Sequence, residues 1–162
     1  VAMKQEKNEL SIEQTSARSR VQGGWRVITL PSATDERGTL TYIETPESVP
    51  FVTRRIYYIH NVPAGASRGN HAHKFQQQLI VAVAGSFTVL VDQGNDILGK
   101  ERLSHPQQGL LFGPMTWHSV VDFSPGAVCL VLGSADFCES DYIRDHGEFL
   151  AMSVRVPGGG QI

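Results

Sequence analysis

From Trp25 onward the apolar residues fall in short runs. "WRVITL", "GTLTYIE", "RRIYYIHNV", "QLIVAVAG", "SFTVLVD", "GLLFGP", "HSVVDF" and "AVCLVLG" are rich in Val, Ile, Leu, Tyr, Phe and Thr. Turn-forming clusters separate them: "DERG", "VPAGASRGN", "DQGND", "SHPQQG" and "SPG". Many short strands broken by Gly and Pro turns predict an all-β sandwich or barrel. "DQGND", between "FTVLV" and "ILGKERL", predicts a hairpin. Only about Ser140 to Val154, "SDYIRDHGEFLAMSV", predicts a helix, and Gly147 weakens it. Residues 1–24 are polar with little apolar periodicity and read as a tail or a loosely attached helix.

Length and charge narrow the function classes. The 162 residues suit one domain, placed at 25–162 behind the tail. A formal net charge of -2 gives no reason to expect nucleic acid or an anionic membrane as partner. No apolar run approaches the roughly 18 residues of a membrane span, and "VAMKQEKNEL" lacks the apolar stretch of a signal peptide. Cys129 and Cys138 make no disulfide framework, so a reduced, cytoplasmic protein is the expectation. Internal repeats, a phosphate-binding glycine loop and a nucleophile elbow are all missing from the sequence.

The candidate chemistry lies in "GASRGNHAHKFQQQLIVAVAG". His71 and His73 flank one alanine, so on a strand both imidazoles point to one face. Such a pair is a metal site, an acid–base pair, or two structural histidines. With His118 it supplies three nitrogens, a familiar zinc or iron set. Gln78 argues against metal, since a neutral amide leaves a dication's charge unbalanced. Without metal, the imidazoles are free to move protons near neutral pH. Tyr57 and Tyr58 alternate faces, so only one should enter a barrel. His60, His105 and His146 receive no role.

Two resemblances sharpen this. Gly65, His71, His73, Gln78 and Gly85 are spaced like the first cupin motif, in which a glutamate normally stands at the place of Gln78. Gly109, Pro114 and His118 resemble the second motif, one residue short between Pro and His. The resemblance implies a double-stranded β-helix, a jelly-roll barrel with its site inside the mouth, to which the pattern adds the short C-terminal helix. More closely, "DERGTLTYIE", "RRIYYI", "RGNHAHK", "GPMTWHSVVDF" and "ESDYIRDHGEF" resemble the sugar-nucleotide 3,4-ketoisomerases over about residues 25–150. That family implies conversion of dTDP-4-keto-6-deoxyglucose to its 3-keto isomer, in biosynthesis of an unusual deoxysugar for a lipopolysaccharide or S-layer glycan. It implies no metal or organic cofactor, and a homodimer with exchanged N-terminal strands such as "WRVITL". The positions carried over are His71, His73, Arg37, Arg68 and Tyr57 or Tyr58.

Moving a ketone from C4 to C3 requires removal of the C3 proton, an enediol, and a proton returned to C4. We assign His73 as the carbon base and His71 as oxygen shuttle or orienting partner, although the sequence does not separate the two. Arg37 would stabilise the oxyanion or hold substrate, and Arg68 would grip pyrophosphate through its planar fork. His118 either lines the sugar pocket or is a satisfied core histidine. The rivals are an epimerase on the same substrate class, a metal-dependent cupin enzyme, and a non-catalytic nucleotide-sugar-binding module. Product stereochemistry at C4 is not legible.

Overall fold

The computed structural model describes residues 24–94 and 98–153. The expected polar tail lies outside these residues except for Gly24, as does the tip of the "DQGND" turn. In chain order the strands are β1 (Trp25–Thr29), β2 (Ser32–Asp35), β3 (Gly38–Thr41), β4 (Arg55–His60), β5 (Arg68–His73) and β6 (Gln78–Ala84). They continue with β7 (Phe87–Asp92), β8 (Leu98–Leu103), β9 (Gln108–Phe112), β10 (Trp117–Val121), β11 (Val128–Gly133) and β12 (Tyr142–Ile143), followed by helix α1 (His146–Ser153).

Two five-stranded antiparallel sheets carry the fold. One has the order β1-β9-β6-β11-β4, the other β12-β5-β10-β7-β8, and β2-β3 is a separate hairpin. The expected hairpin forms, with β7 and β8 paired from Phe87↔Leu103 to Asp92↔Leu98. This is the jelly-roll barrel that the cupin resemblance implies, within the all-β class expected from the strand pattern. Its core lies between the sheets, built from Ile80, Phe87, Val89, Leu110, Phe112, Val120 and Val131 among others.

β6 is buried on both faces because its sequence, "QLIVAVA", does not alternate. Ile80 and Ala82 face the barrel core, while Leu79 and Val81 pack outward against Val49, Phe51 and Leu132. The segment after β3 therefore covers the back of the larger sheet. β1 pairs with β9 of its own chain, Trp25↔Phe112 through Thr29↔Gln108, and stands at the edge of the larger sheet.

The C-terminal segment departs from the helix expected over Ser140 to Val154. Glu139–Asp141 form a 3₁₀ turn, Tyr142–Ile143 pair with β5, and the helix starts only at His146. The reason is alternation: Ile143 is buried while Arg144 faces solvent. Asp145 then caps the helix, its Oδ1 accepting from the Glu148 N–H at 2.7 Å. Phe149 closes over Ala72 and Ile143, and its burial contributes roughly 1.5–3 kcal/mol. α1 thus backs β5, the strand carrying both candidate histidines.

Candidate active site

β5 reads "RGNHAH", and its backbone is bent before the histidines arrive. Gly69 has φ +81° and Asn70 φ 58°. The β5–β10 register slips there, with His118 opposite His71 but Ser119 opposite Gly69. Such a bulge re-aims the side chains that follow it. Gly69 is required for it: a Cβ at this position would sit 2.9 Å from the His118 carbonyl oxygen. Asn70 fastens the bend, its Oδ1 accepting from Ser119 Oγ at 2.8 Å. Beyond it the period of two resumes. His71 and His73 turn inward, and Ala72 turns out beneath α1.

Three histidines converge. His71 Nε2 lies 3.2 Å from His73 Nε2, and the His71 and His118 ring centroids are 4.5 Å apart. Behind them stands Asp141, whose Oδ2 is 2.8 Å from His73 Nδ1. Its other oxygen, Oδ1, accepts from the Phe75 N–H at 2.8 Å. A carboxylate only accepts, so His73 Nδ1 carries a hydrogen. The neutral ring then has its lone pair on Nε2, facing the donors of His71, Gln76 and Gln78 at 3.2 to 3.3 Å. Gln78 Nε2 also reaches the Tyr57 hydroxyl oxygen at 3.2 Å, which leaves the Tyr57 O–H free to donate.

Burial governs the charges. It pushes His71 down to about 4 and His118 well below the ordinary imidazole value. His73 is lowered by the same cause, against the opposing pull of Asp141. Burial pushes Tyr57 up to about 12. At neutral pH the site therefore holds three neutral imidazoles and a protonated phenol.

The cluster opens on a cavity of about 370 Å³ lined by His71, His118, Tyr57, Tyr142, Arg55, Arg68 and Arg144 among others. The arginines give its mouth positive charge. Arg144 is held by Glu139 through two bonds of 2.6 and 2.9 Å, and Arg55 Nη1 donates to the Tyr142 hydroxyl at 3.2 Å. A second cavity, of about 380 Å³, lies against the back of the larger sheet among Leu30, Ile43, Val81 and Leu130, and holds no acid–base pair.

Of the residues singled out from sequence, His71, His118, Tyr57, Tyr58 and Arg68 line this cavity, and His73 and Gln78 stand behind His71 in the buried cluster. Tyr57 is the inward tyrosine. Tyr58 turns its ring to the outer face, 66% exposed. Arg37 is not brought to the cluster. It sits on the β2–β3 turn with an 85% exposed side chain paired to Asp35, away from the cavity lining. Sequence reasoning gave no role to Asp141, Tyr142, Arg55 or Arg144. "DYIR" was visible as a motif, and Arg55 shares the inward period of Tyr57 along β4.

A resident divalent cation fits this set poorly. Gln78 puts a neutral amide where a carboxylate ligand is expected, and His73 already commits Nδ1 to Asp141. Among the described residues, no three His, Cys, Asp or Glu side chains are grouped to hold a metal ion.

The family model described as FdtA, WxcM-like, C-terminal, matches residues 23–154. The chain belongs to the FdtA family. Within reach of this family member is the TDP-4-oxo-6-deoxy-alpha-D-glucose-3,4-oxoisomerase of Aneurinibacillus thermoaerophilus. It is 40% identical over 131 residues, which are 81% of this chain and 94% of that protein. A 3,4-ketoisomerase from Helicobacter canadensis superimposes with a TM-score of 0.77 at 35% identity, covering 80% of this chain and 97% of its own. QdtA, the 3,4-ketoisomerase of Thermoanaerobacterium thermosaccharolyticum, was solved as a histidine-to-asparagine variant with TDP-4-keto-6-deoxyglucose. It matches the FdtA-family chain with a TM-score of 0.79 at 32% identity, over 82% of this chain and 95% of that one.

Proposed function

We propose that this chain is a sugar-nucleotide 3,4-ketoisomerase that moves the ketone of TDP-4-keto-6-deoxyglucose from C4 to C3. The observation that carries the reading is the His71–His73 pair, neutral and side by side at the end of an arginine-rimmed cavity. His73, oriented by a carboxylate, is the carbon base. It takes the C3 proton, the electron pair forms the C3–C4 double bond, and the C4 oxygen becomes an enediolate. The Tyr57 O–H donates to that oxygen. His71 moves the hydroxyl proton from the C3 oxygen to the C4 oxygen. His73 then returns its proton to C4 as the C3 carbonyl forms, so no proton is gained or lost. His118 and Gln78 wall the sugar site, and Arg68 with Arg144 and Arg55 holds the diphosphate. This proton traffic needs no metal or organic cofactor.

We assign the same protein to a homodimer in the cytoplasm. Support comes from β1, an edge strand of the larger sheet, whose second side is free to pair or pack, and from two unpaired thiols. No helix among the described residues is long and apolar enough to cross a membrane. Arg37, on its exposed turn, has a catalytic part only through such a dimer, reaching a neighbour's cavity. The ketosugar product is suited to an unusual deoxysugar.

Incubation with TDP-4-keto-6-deoxyglucose in deuterated water, followed by NMR of the product, tests this. The expected product has its ketone at C3, with deuterium entering C4 only as far as the proton held on the base exchanges with solvent before its return. A ketone left at C4 with label at C5 would make the chain an epimerase instead. Turnover lost to a chelator and restored by zinc or iron would remove the metal-free mechanism.

A further inference from the structure

We infer that Ile59, Val120, Cys129 and Val131 form the pocket for C6 of the sugar and set a preference for a methyl over a hydroxymethyl group there. The inference rests on the isomerase reading for the orientation of the sugar. All four residues line the cavity that His71 opens on. Strand pairing sorts that lining into rows across the sheets. In the larger sheet Arg55 lies beside Gly133, Tyr57 beside Val131, and Ile59 beside Cys129. In the other sheet His73 lies beside Tyr142, His71 beside His118, and Arg68 beside Val120. Gln78, beside Gly133, meets His73 at 3.3 Å and so joins the first row of one sheet to the first row of the other.

The cavity therefore has two unlike ends. Arg55 and Tyr142 make one end polar, with Gln78 and His73 behind them. Tyr57, His71 and His118 form the middle row. Ile59, Cys129 and Val120 make the other end apolar, and Arg68 stands only at its exposed rim. Val131 and Ile80 carry the apolar surface inward, where they join Val120 and Cys129 in the barrel core. Burial pushes the Cys129 thiol up to about 12, so it stays an S–H and behaves as a small hydrophobe.

A ketohexose ring is two-sided in the same way. Its C3–C4 edge must lie at the middle row, where the imidazoles and the phenol are. C1 stands across the ring from C4, so the diphosphate it carries points back to the arginine-rimmed mouth. Two flanks remain: C2 with its hydroxyl beside C3, and C5 with C6 beside C4. The hydroxyl flank needs polar partners and fits the Arg55–Tyr142 end. C6 then lies against Ile59, Cys129 and Val120. A methyl there needs no partner. A 6-hydroxyl would give up water for aliphatic groups and a neutral thiol, because His118 stands one row away, its ring packed on His71 and Phe112. A buried hydroxyl left without a partner weakens binding about 5- to 100-fold.

Two unreactive nucleotide sugars read this directly. TDP-6-deoxyglucose and TDP-glucose both carry a hydroxyl at C4 and differ only in the oxygen on C6. Calorimetry should give a Kd for TDP-6-deoxyglucose about 5- to 100-fold below that for TDP-glucose. Cys129→Ser puts a hydroxyl on the apolar floor at nearly unchanged shape, and Val131→Thr does so beside it should the first variant fail to fold. Either folded variant should narrow the ratio by tightening TDP-glucose. Equal Kd values in the wild type would overturn the inference, and with ketone transfer intact they would leave the isomerase reading standing. A ratio that the folded variants leave unchanged would overturn it too. The expected ratio in a protein that leaves the ketosugar unconverted would remove the isomerase reading and keep the C6 pocket. Binding of neither nucleotide sugar would overturn both.

Discussion

His73 and His71 differ in what stands behind them, and this separates two residues that sequence alone treats as equals. Both sit on the inward period of β5. Only His73 has a carboxylate on its far nitrogen, and only His71 lines the open cavity. We expect His73→Asn to lower kcat about 10²- to 10⁴-fold while TDP binding, measured by calorimetry, holds. Burial lowers the pKa of His73 below the ordinary value of 6.5. A protonated imidazole has no lone pair to accept a proton, so under the proposed role of His73 activity is expected to be lost on the acid side of that pKa. A profile of kcat/KM against pH should therefore stay flat as pH falls through 6.5 and decline only below it. A midpoint at or above 6.5 would count against His73 as the base. The pair itself was legible because a strand's period of two is local. The choice of Tyr57 over Tyr58 was legible in form only, since alternation says that one enters but not which. Asp141 was not legible. It meets His73 across 68 residues of chain, and no local pattern encodes that distance. Arg37 shows the converse: a motif can be recognised while the place its side chain occupies is set by a hairpin standing outside the cavity.

At the scale of elements, the strands that sequence reveals are those that bury something. β4, β6, β7, β9 and β11 all carry apolar residues on a face that packs, and each falls within an expected run. β2, "SATD", is mostly exposed and polar, and β12 is two residues long at a sheet edge. Neither produces the hydrophobic alternation on which a strand assignment depends. The expected helix was too long for a related reason. "DYIR" alternates and pairs with β5, but beside "GEFLAMS" it also fits a helical period, and only the tertiary ladder decides. The bulge at Gly69 is the element that aims the histidines, and it is a point of fragility. Gly69→Ala adds a Cβ 2.9 Å from the His118 carbonyl at a residue with φ +81°. Strain of this kind costs about 1–3 kcal/mol. We expect a lower urea midpoint in thermodynamic unfolding and a loss of turnover larger than the fraction unfolded would explain. Unchanged turnover in a destabilised protein would mean that the bulge serves the fold alone.

At the scale of the whole molecule, the barrel buries its acid–base groups in uncharged form, and this ties stability to pH. In the unfolded chain His71, His73 and His118 titrate near 6.5, whereas in the folded chain all three are lowered, His71 to about 4. Above 6.5 neither state binds these protons, and the folded protein has its full stability with respect to them. As pH falls below 6.5 the unfolded chain takes up protons that the folded chain refuses, so the equilibrium moves toward unfolding until the folded-state pKa values are reached. At 1.36 kcal/mol per unit, His71 alone accounts for a loss of about 3 kcal/mol between pH 6.5 and 4. Carboxylates in ion pairs lose their contributions further into acid, so the decline that starts near 6.5 belongs to the imidazoles. Urea unfolding at pH 7 and pH 4.5 should reveal it, and His71→Gln should flatten the curve in that window while removing turnover. A stability that stays level from pH 7 to 4.5 would mean that water reaches these rings and that the site is wetter than a sealed barrel end. The burial that weakens the fold in acid is the one that keeps these imidazoles neutral at pH 7, the state the proposed proton transfers require, so the cost in acid stability and the capacity for catalysis follow from one burial.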